Sequence, residues 1–409
     1  MATTSFTPET TAQTPSAPAT LLICLPSISS EAQAAALAHL EAAFPGESLL
    51  LAGASISSPN LHTVDYAQPR SQLGWVLAAA DYATAAATLA SNSAPSSSAQ
   101  NTLATVLLLG TDASTLPIPA LHNLVAAVRA GADIAVPRYP IGPNDALVST
   151  SLLYPLTRAL FATDIRFPLP VDAALSPRLL QRLASAAVRI GTGPQGTENL
   201  LWPITEAAAA GFTARQIDAP ERTLPSPPDL DINALLTSIT GSLFADIEAK
   251  AAFWQRARTT APAPPASTTP DQTPTENSLA DPEIASMVDN FRLASDNLTE
   301  IWSLVLPPQS LLALKKLART PPSDFTFDPS LWARVVYDFA MAFRLRTLNR
   351  GHLLGAMTPL YLAWVASHIR AARNDSQRSA RLAEATAEAF EREKPYFLSR
   401  WRWPDRFNP

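Results

Sequence analysis

The chain has 409 residues, 47% hydrophobic and 16% charged, with a net charge of −5. The apolar fraction is ample for packed cores and the length allows two ordinary domains, which excludes a chain disordered throughout. The acidic balance argues against a nucleic-acid binder, which needs a basic stripe to neutralise phosphates, and the single cysteine, Cys24, excludes a disulfide framework and a thiolate metal site and fits a reducing cytosol.

Residues 1–18 are rich in Thr, Ser, Ala and Pro and read as a disordered tail. They show no basic n-region and no apolar h-region, so they do not read as a secretory signal. Leu21 to Leu25 is an apolar run of the kind that forms a buried strand. Ser30 with Gln33 has the capping-box pattern, and Leu37, Leu40 and Phe44 then mark one helical face. Ser48 to Ala52 is a second strand candidate. Ser91 to Asn101 is a polar loop, and Thr105 to Leu109 is a strong strand of β-branched residues and Leu. Leu121, Leu124, Val125 and Val128 follow at helical spacing before Gly131, and Ala132 to Val136 is again a strand.

This rhythm predicts an α/β fold with a mostly parallel sheet flanked by helices. Ligands bind such sheets at the carboxyl ends of the strands. Pro26 to Ser29, Gly110 to Thr115 and Pro137 to Asp145 are therefore expected around one site.

Residues 259–279, with many prolines and almost no apolar bulk, read as a linker. It separates a domain over 19–258 from an all-α C-terminal domain over 280–409. In the latter, Trp332, Val335, Val336, Phe339 and Phe343 form an apolar stripe that reads as core. Arg378 to Glu393 reads as a charged helix with a solvated face. Leu353 to Ser367, interrupted by Pro359, reads as a buried helix pair, too short and mixed for a membrane span. The helical domain is expected either to pack on the first domain or to make a homodimer.

Chemistry is sought at the strand ends. Asp112 stands just beyond a buried strand, where a carboxylate can hold a divalent metal or a ribose hydroxyl, or serve only as a turn or cap residue. A strand ending at Tyr139 leads to a turn with Asn144 and Asp145 and a helix from Tyr154 to Phe161. Then come Arg166 in a Pro-rich stretch, and Asp172 before the helix opened by Ser176-Pro177. A guanidinium and a carboxylate in one stiff turn suit an acidic, polyhydroxylated acceptor. Equally, Arg166 and Asp172 could pair and brace the loop.

The stretch from Val136 to Ser176 resembles the retaining GT-A glycosyltransferases related to mannosylglycerate synthase and glucosyl-3-phosphoglycerate synthase, which are family 2-like. It keeps Tyr154, Pro155, Leu156, Thr157, Arg158, Leu160, Ile165, Arg166, Pro168, Asp172 and Ser176 of that group's segment. Downstream, Trp202, Thr205, Ala207, Gly211 and Phe212 stay in register. Leu331 to Asp338, Thr358 to Tyr361 and the Glu391-x-x-Lys394-Pro395-Tyr396 run resemble its helical C-terminal extension.

The resemblance implies hexose transfer from a nucleotide-diphosphate sugar to a small acidic or sugar acceptor, with retention. Donor contacts would fall on Pro26, Ser27, Gly74, Asp112 and Arg222, and acceptor contacts on Tyr139, Asp145, Arg166 and Asp172. Asp172 and Glu198 would be the carboxylates near the reacting centre, and a divalent metal, Mg or Mn, would sit at Asp112. Several departures bear on that metal and the diphosphate. Gly110 stands in place of the first Asp of the group's Asp-x-Asp. No His follows near Arg222, and Gln72-Leu73-Gly74 lacks a phosphate-facing lysine. Pro170-Val171 replaces a Gly pair. Arg222 could take over as a fixed cation in a metal-independent transferase. The alternative is a catalytically inactive relative that binds or assembles. A nucleotidyltransferase is disfavoured because the loop after the first strand has neither Gly nor a basic residue.

Overall fold

The computed structural model describes residues 19–25, 30–53, 62–65, 76–93, 103–110, 113–140, 146–191, 200–219, 231–258, 281–373 and 375–404. Its sheet has seven strands: β1 (Leu21–Cys24), β2 (Leu49–Gly53), β3 (His62–Asp65), β4 (Thr105–Leu108), β5 (Ile134–Arg138), β6 (Ala173–Leu175) and β7 (Ala214–Asp218). They lie in the order β3-β2-β1-β4-β6-β5-β7. All pairs are parallel except β4–β6 and β5–β6, so β6 runs against its two neighbours.

Both faces of the sheet are covered, which is why the central strands read as continuous apolar runs. Alternation divides them. Leu21, Ile23, Leu49, Leu51 and Leu107 face one layer, built by α1 (Ser30–Ala43) and α3 (Ile118–Arg129). Leu22, Cys24, Leu50, Val106, Leu108, Ile134 and Val136 face the other, where α2 (Ala79–Ser93) and α5 (Pro177–Gly191) pack together. The Cys24 thiol is fully buried, and burial pushes its pKa up. Helix α3 ends on Gly131 at φ +104°, a left-handed conformation that penalises a Cβ.

Between β5 and β6 the chain makes a π-helical turn, Ser149–Leu153, that runs into α4 (Tyr154–Phe161). Helix α6 (Pro203–Ala209) precedes β7, and α7 (Ile232–Ala249) and α8 (Ala251–Trp254) follow it. The second region comprises α9 (Asp281–Asn297), α10 (Thr299–Ser303), α11 (Pro308–Ala318), α12 (Pro329–Leu345), α13 (Arg350–Ala372) and α14 (Ser376–Arg402). Asp328, Asn349 and Asp375 cap the last three by accepting backbone N–H bonds. The stripe from Trp332 to Phe343 is buried as core.

This region shares one continuous apolar core with α4, α7 and α8. The cluster runs from Leu152, Leu156 and Phe244 through Trp332 and Leu360 to Trp401. Trp254 stacks on Phe397 with ring centroids 5.0 Å apart, and the Trp332 indole donates to the Ser151 carbonyl at 2.9 Å.

One helical expectation needs correction. Leu353 to Ser367 is not a helix pair: Pro359 lies inside the single helix α13. A mid-helix proline costs about 3 kcal/mol. Fifteen residues of α13 are buried, enough apolar contact to hold the helix together across it. The Arg378–Glu393 stretch has its solvated face, with Arg381, Glu388 and Arg392 exposed, while the opposite face of α14 buries Ala383, Thr386, Ala387, Phe390 and Glu393. Glu384 and Glu391 turn toward Arg158 of the first region, and Glu393 toward Arg334 of α12.

Candidate functional site

The sheet order reverses at β1. The chain leaves β1 through α1 to β2 on one side, whereas β4 pairs with β1 on the other. The helices that follow β1 and β4, α1 and α3, lie together on one face of the sheet, and the carboxyl ends of the two strands meet at one edge, where ligands bind sheets of this kind. Leu25 and Leu109 stand at this edge, fixed by backbone bonds to Ala52 (2.8 Å) and Cys24 (3.1 Å).

Because β6 is antiparallel, its first residues arrive at this same edge. Asp172 therefore sits beside the end of β4. One carboxylate oxygen accepts from the Gly110 backbone N–H at 2.9 Å, and the other from the Tyr139 hydroxyl at 2.7 Å. The carboxylate is completely buried. It ties the ends of β4, β5 and β6 together, and in this arrangement it faces no solvent from which an acceptor could reach it.

Gly110 is held just as closely. A Cβ built on it would lie 2.5 Å from Val171 Cγ1 and 2.9 Å from the Val171 carbonyl oxygen. Two departures noted separately in the sequence, Gly110 and Val171, thus describe one exchange. The valine occupies the space a side chain at 110 would need.

Arg166 does not pair with Asp172 but with Glu384 of α14, at 2.8 Å. Its backbone N–H donates to Gln216 of β7 at 2.6 Å, and its guanidinium lies 4.4 Å from the centre of the Tyr154 ring. Arg158, almost fully buried, also binds Glu384, and binds Glu391 through Nε at 3.1 Å and Nη2 at 3.2 Å. Burial works against the Arg158 charge, but its bonds to Glu384 and Tyr154 outweigh that and raise its pKa. Burial raises Glu391, which Arg158 only partly offsets.

The Glu391-x-x-Lys394-Pro395-Tyr396 run is a set of ties. Glu391 holds Arg158, Lys394 donates to the Ala257 carbonyl at 2.8 Å, and Tyr396 donates to Asp338 at 2.7 Å. Burial pulls Lys394 down to about 8 and pushes the Asp338 carboxyl up to about 7.

Sequence reasoning missed Glu384. Its distance of seven positions from Glu391 puts both on one face of a helix, which was the available signal. It also missed a cluster on α6 and α7, where Glu206 meets Arg182 (2.7 Å) and Lys250 (3.2 Å), and Lys250 meets Asp246. These charges join α5, α6 and α7, with Glu206 buried, Asp246 and Lys250 largely buried and Arg182 half-exposed.

Pro26, Ser27, Gly74, Asp112, Asp145, Glu198 and Arg222 lie outside the described residues. Among the described ones, no group of three or more His, Cys, Asp or Glu is placed to hold a metal ion. Gly110 offers no carboxylate, and Asp172 has both oxygens engaged, so the described residues do not form a metal-ligand set. A depression of about 430 Å³ lined by Phe44, Glu47, His122 and Arg129 sits at the C-terminal ends of α1 and α3, on the opposite edge of the sheet from Asp172. No helix among the described residues is long and apolar enough to cross a membrane.

Fold and site together define a mixed α/β protein: a mostly parallel sheet between helical layers, strand ends tied by a buried carboxylate, and a helical C-terminal region packed against it. No protein-family model matches the chain, and no curated protein matches it in sequence. Among solved structures it is similar to glucosyl-3-phosphoglycerate synthase from Mycobacterium tuberculosis in complex with Mg2+ and uridine diphosphate. The identity is 15% and the TM-score 0.35, over 57% of this chain and 80% of that one. The same enzyme with Mn2+, uridine diphosphate and glucosyl-3-phosphoglycerate gives 14% and 0.34 over the same shares.

Proposed function

We propose that this chain is a GT-A-like glycosyltransferase that moves a hexose from a nucleotide-diphosphate sugar to a small acidic or sugar acceptor, with retention. The observation that carries the reading is the strand edge where the order reverses between β1 and β4, held together by the Asp172 brace. The donor would lie over the β1 and β4 ends, against Pro26, Ser27, Gly74 and Asp112. Arg222 would supply the fixed positive charge that a departing diphosphate requires. Tyr139, Asp145 and Arg166 would line the acceptor side, and Glu198 would be the carboxylate near the reacting centre. Asp172, being buried, is assigned here as a positioning residue that holds Gly110 and Tyr139.

One observation favours a second reading, a non-catalytic relative that uses the same edge for binding or assembly. Val171 fills the space beside Gly110 with apolar side chain rather than leaving it for a polar group.

A thermal-shift screen with UDP-, GDP- and ADP-sugars, each with and without manganese, separates the two. A ligand at a hundred times its Kd stabilises the native state by about 2.7 kcal/mol. The transferase reading expects a shift with at least one nucleotide sugar, retained without manganese and abolished by Arg222→Ala. If no nucleotide sugar moves the midpoint under either condition, the transferase reading fails.

A further inference from the structure

The charges around Arg166 do not match an anionic acceptor. The Glu384 carboxylate lies between two guanidinium groups, with one oxygen on Arg158 and the other 2.8 Å from Arg166. The Tyr154 hydroxyl stands 3.4 Å from it and donates to Asp164 at 2.7 Å. Glu391 closes on the far side of Arg158. Two carboxylates, Glu384 and Glu391, therefore face the two guanidinium groups, Asp164 stands behind the Tyr154 hydroxyl, and Glu388, exposed on the same α14, adds a further negative charge near Glu391. An incoming carboxylate or phosphate would find the Arg166 charge already met and would be repelled by the group that meets it.

The side chains of Arg166 and Glu384 are 26% and 32% exposed, so both can be reached from solvent. Side by side they present an N–H donor and an anionic acceptor. A hydroxyl both donates and accepts, so a pair of neighbouring hydroxyls satisfies both groups without bringing charge.

We propose that Glu384, supplied by the C-terminal helical region, sets the acceptor class: it neutralises Arg166 so that this partly exposed pair takes an uncharged polyhydroxyl acceptor, sugar-like, and turns away anionic ones. This rests on the assignment of Arg166 to the acceptor side made above and narrows it.

The test is calorimetric titration of inorganic phosphate into wild type, Glu384→Gln, Arg166→Gln and the double variant, at constant ionic strength. Glutamine keeps the shape of Glu384, and Arg158 keeps Glu391, so the variant retains most of the joint. Removing one negative charge beside an exposed arginine is worth about tenfold in anion affinity. The expected result is that Glu384→Gln binds phosphate at least tenfold more tightly than wild type, and that Arg166→Gln in the same chain removes the gain. A smaller difference overturns the proposal, as does a gain that survives loss of Arg166. The wild-type arm stands alone: phosphate binding by wild type that Arg166→Gln abolishes also overturns it. No nucleotide sugar enters this experiment. A chain that passes the donor screen but binds phosphate equally with and without Glu384 keeps the transferase reading and loses this one.

Discussion

Replacing Gly110 by alanine tests how tightly the strand end is packed. The new methyl would sit 2.5 Å from Val171 Cγ1 and 2.9 Å from the Val171 carbonyl oxygen, whereas carbon atoms in contact prefer about 3.5–4.0 Å. A side-chain rotation can relieve the first clash but not the second, since the second is backbone. The cost should therefore fall in the upper half of the usual overpacking range, about 2–3 kcal/mol. Val171→Ala removes two methyl groups from a buried position, about 1.6 kcal/mol of transfer free energy at ~0.8 per carbon, and leaves a small void. In the double variant the alanine methyl enters the space vacated by Cγ1. The two changes should then couple favourably by about 1–2 kcal/mol, so the pair together costs far less than the two effects added. Urea midpoints, with slopes checked for constancy, measure each variant. If Gly110→Ala lies within ~0.5 kcal/mol of wild type, or if the two changes add within that margin, Val171 does not fill the side-chain space of position 110 and the account of both departures collapses.

The remaining predictions concern the charges. Tyr139→Phe removes a donor from the buried Asp172 carboxylate and should cost about 1.5–3 kcal/mol in urea denaturation; an unchanged midpoint would refute the bracing role. Arg158→Ala leaves Glu391 and Glu384 facing a buried vacancy and should cost about 3–5 kcal/mol. Arg138→Ala, which breaks only an exposed pair with Asp218, should cost less than about 1 kcal/mol in the same assay. Comparable losses would mean that the α4–α14 joint is not specially buried. Burial would raise the Asp133 carboxyl. Hydrogen bonds from Arg178, Thr213 and Ser176 outweigh that and hold it at about 2, against 3.8 ordinarily. Its stabilisation is therefore complete above about pH 4 and is lost as pH falls toward 2. Discounted for the exposure of Arg178, it amounts to about 1–2 kcal/mol at neutral pH. Acid titration of stability should be flatter by that amount in Asp133→Asn, and an equal slope in both proteins would contradict the assignment.

What the sequence revealed depended on the range of the interactions that fix each feature. β1, β4 and β5 were legible because strands buried on both faces read as apolar runs, and α3 because its stripe precedes Gly131. β6 was not legible: three residues, two of them alanine, carry no period, and only its neighbours in space make it a strand. α2 was missed because its alanine-rich sequence fits either face of a helix. β7, at the sheet edge, has no buried residue along its length to betray it.

The candidate site divides the same way. Tyr139, Arg166 and Asp172 were found as residues, but their partners were not. The Asp172 bond to Gly110 spans 62 positions and the Arg158 bond to Glu391 spans 233, distances at which local pattern says nothing. Charge composition pointed only to the solvated face of α14. It is the spacing of Glu384 and Glu391 against a buried arginine that turns it inward.

The bond from Arg158 to Glu391 also orders events during synthesis. The layers against the sheet draw only on residues up to Ala219, so they can close while translation is still under way. α4 cannot: its arginine waits for carboxylates more than two hundred residues downstream, and its apolar side waits for α12 to α14. Until α14 leaves the ribosome, the nascent chain carries an unneutralised arginine beside an uncovered apolar surface. Chaperones that bind such surfaces would meet this protein there, at α4, for most of the time its second half takes to be made.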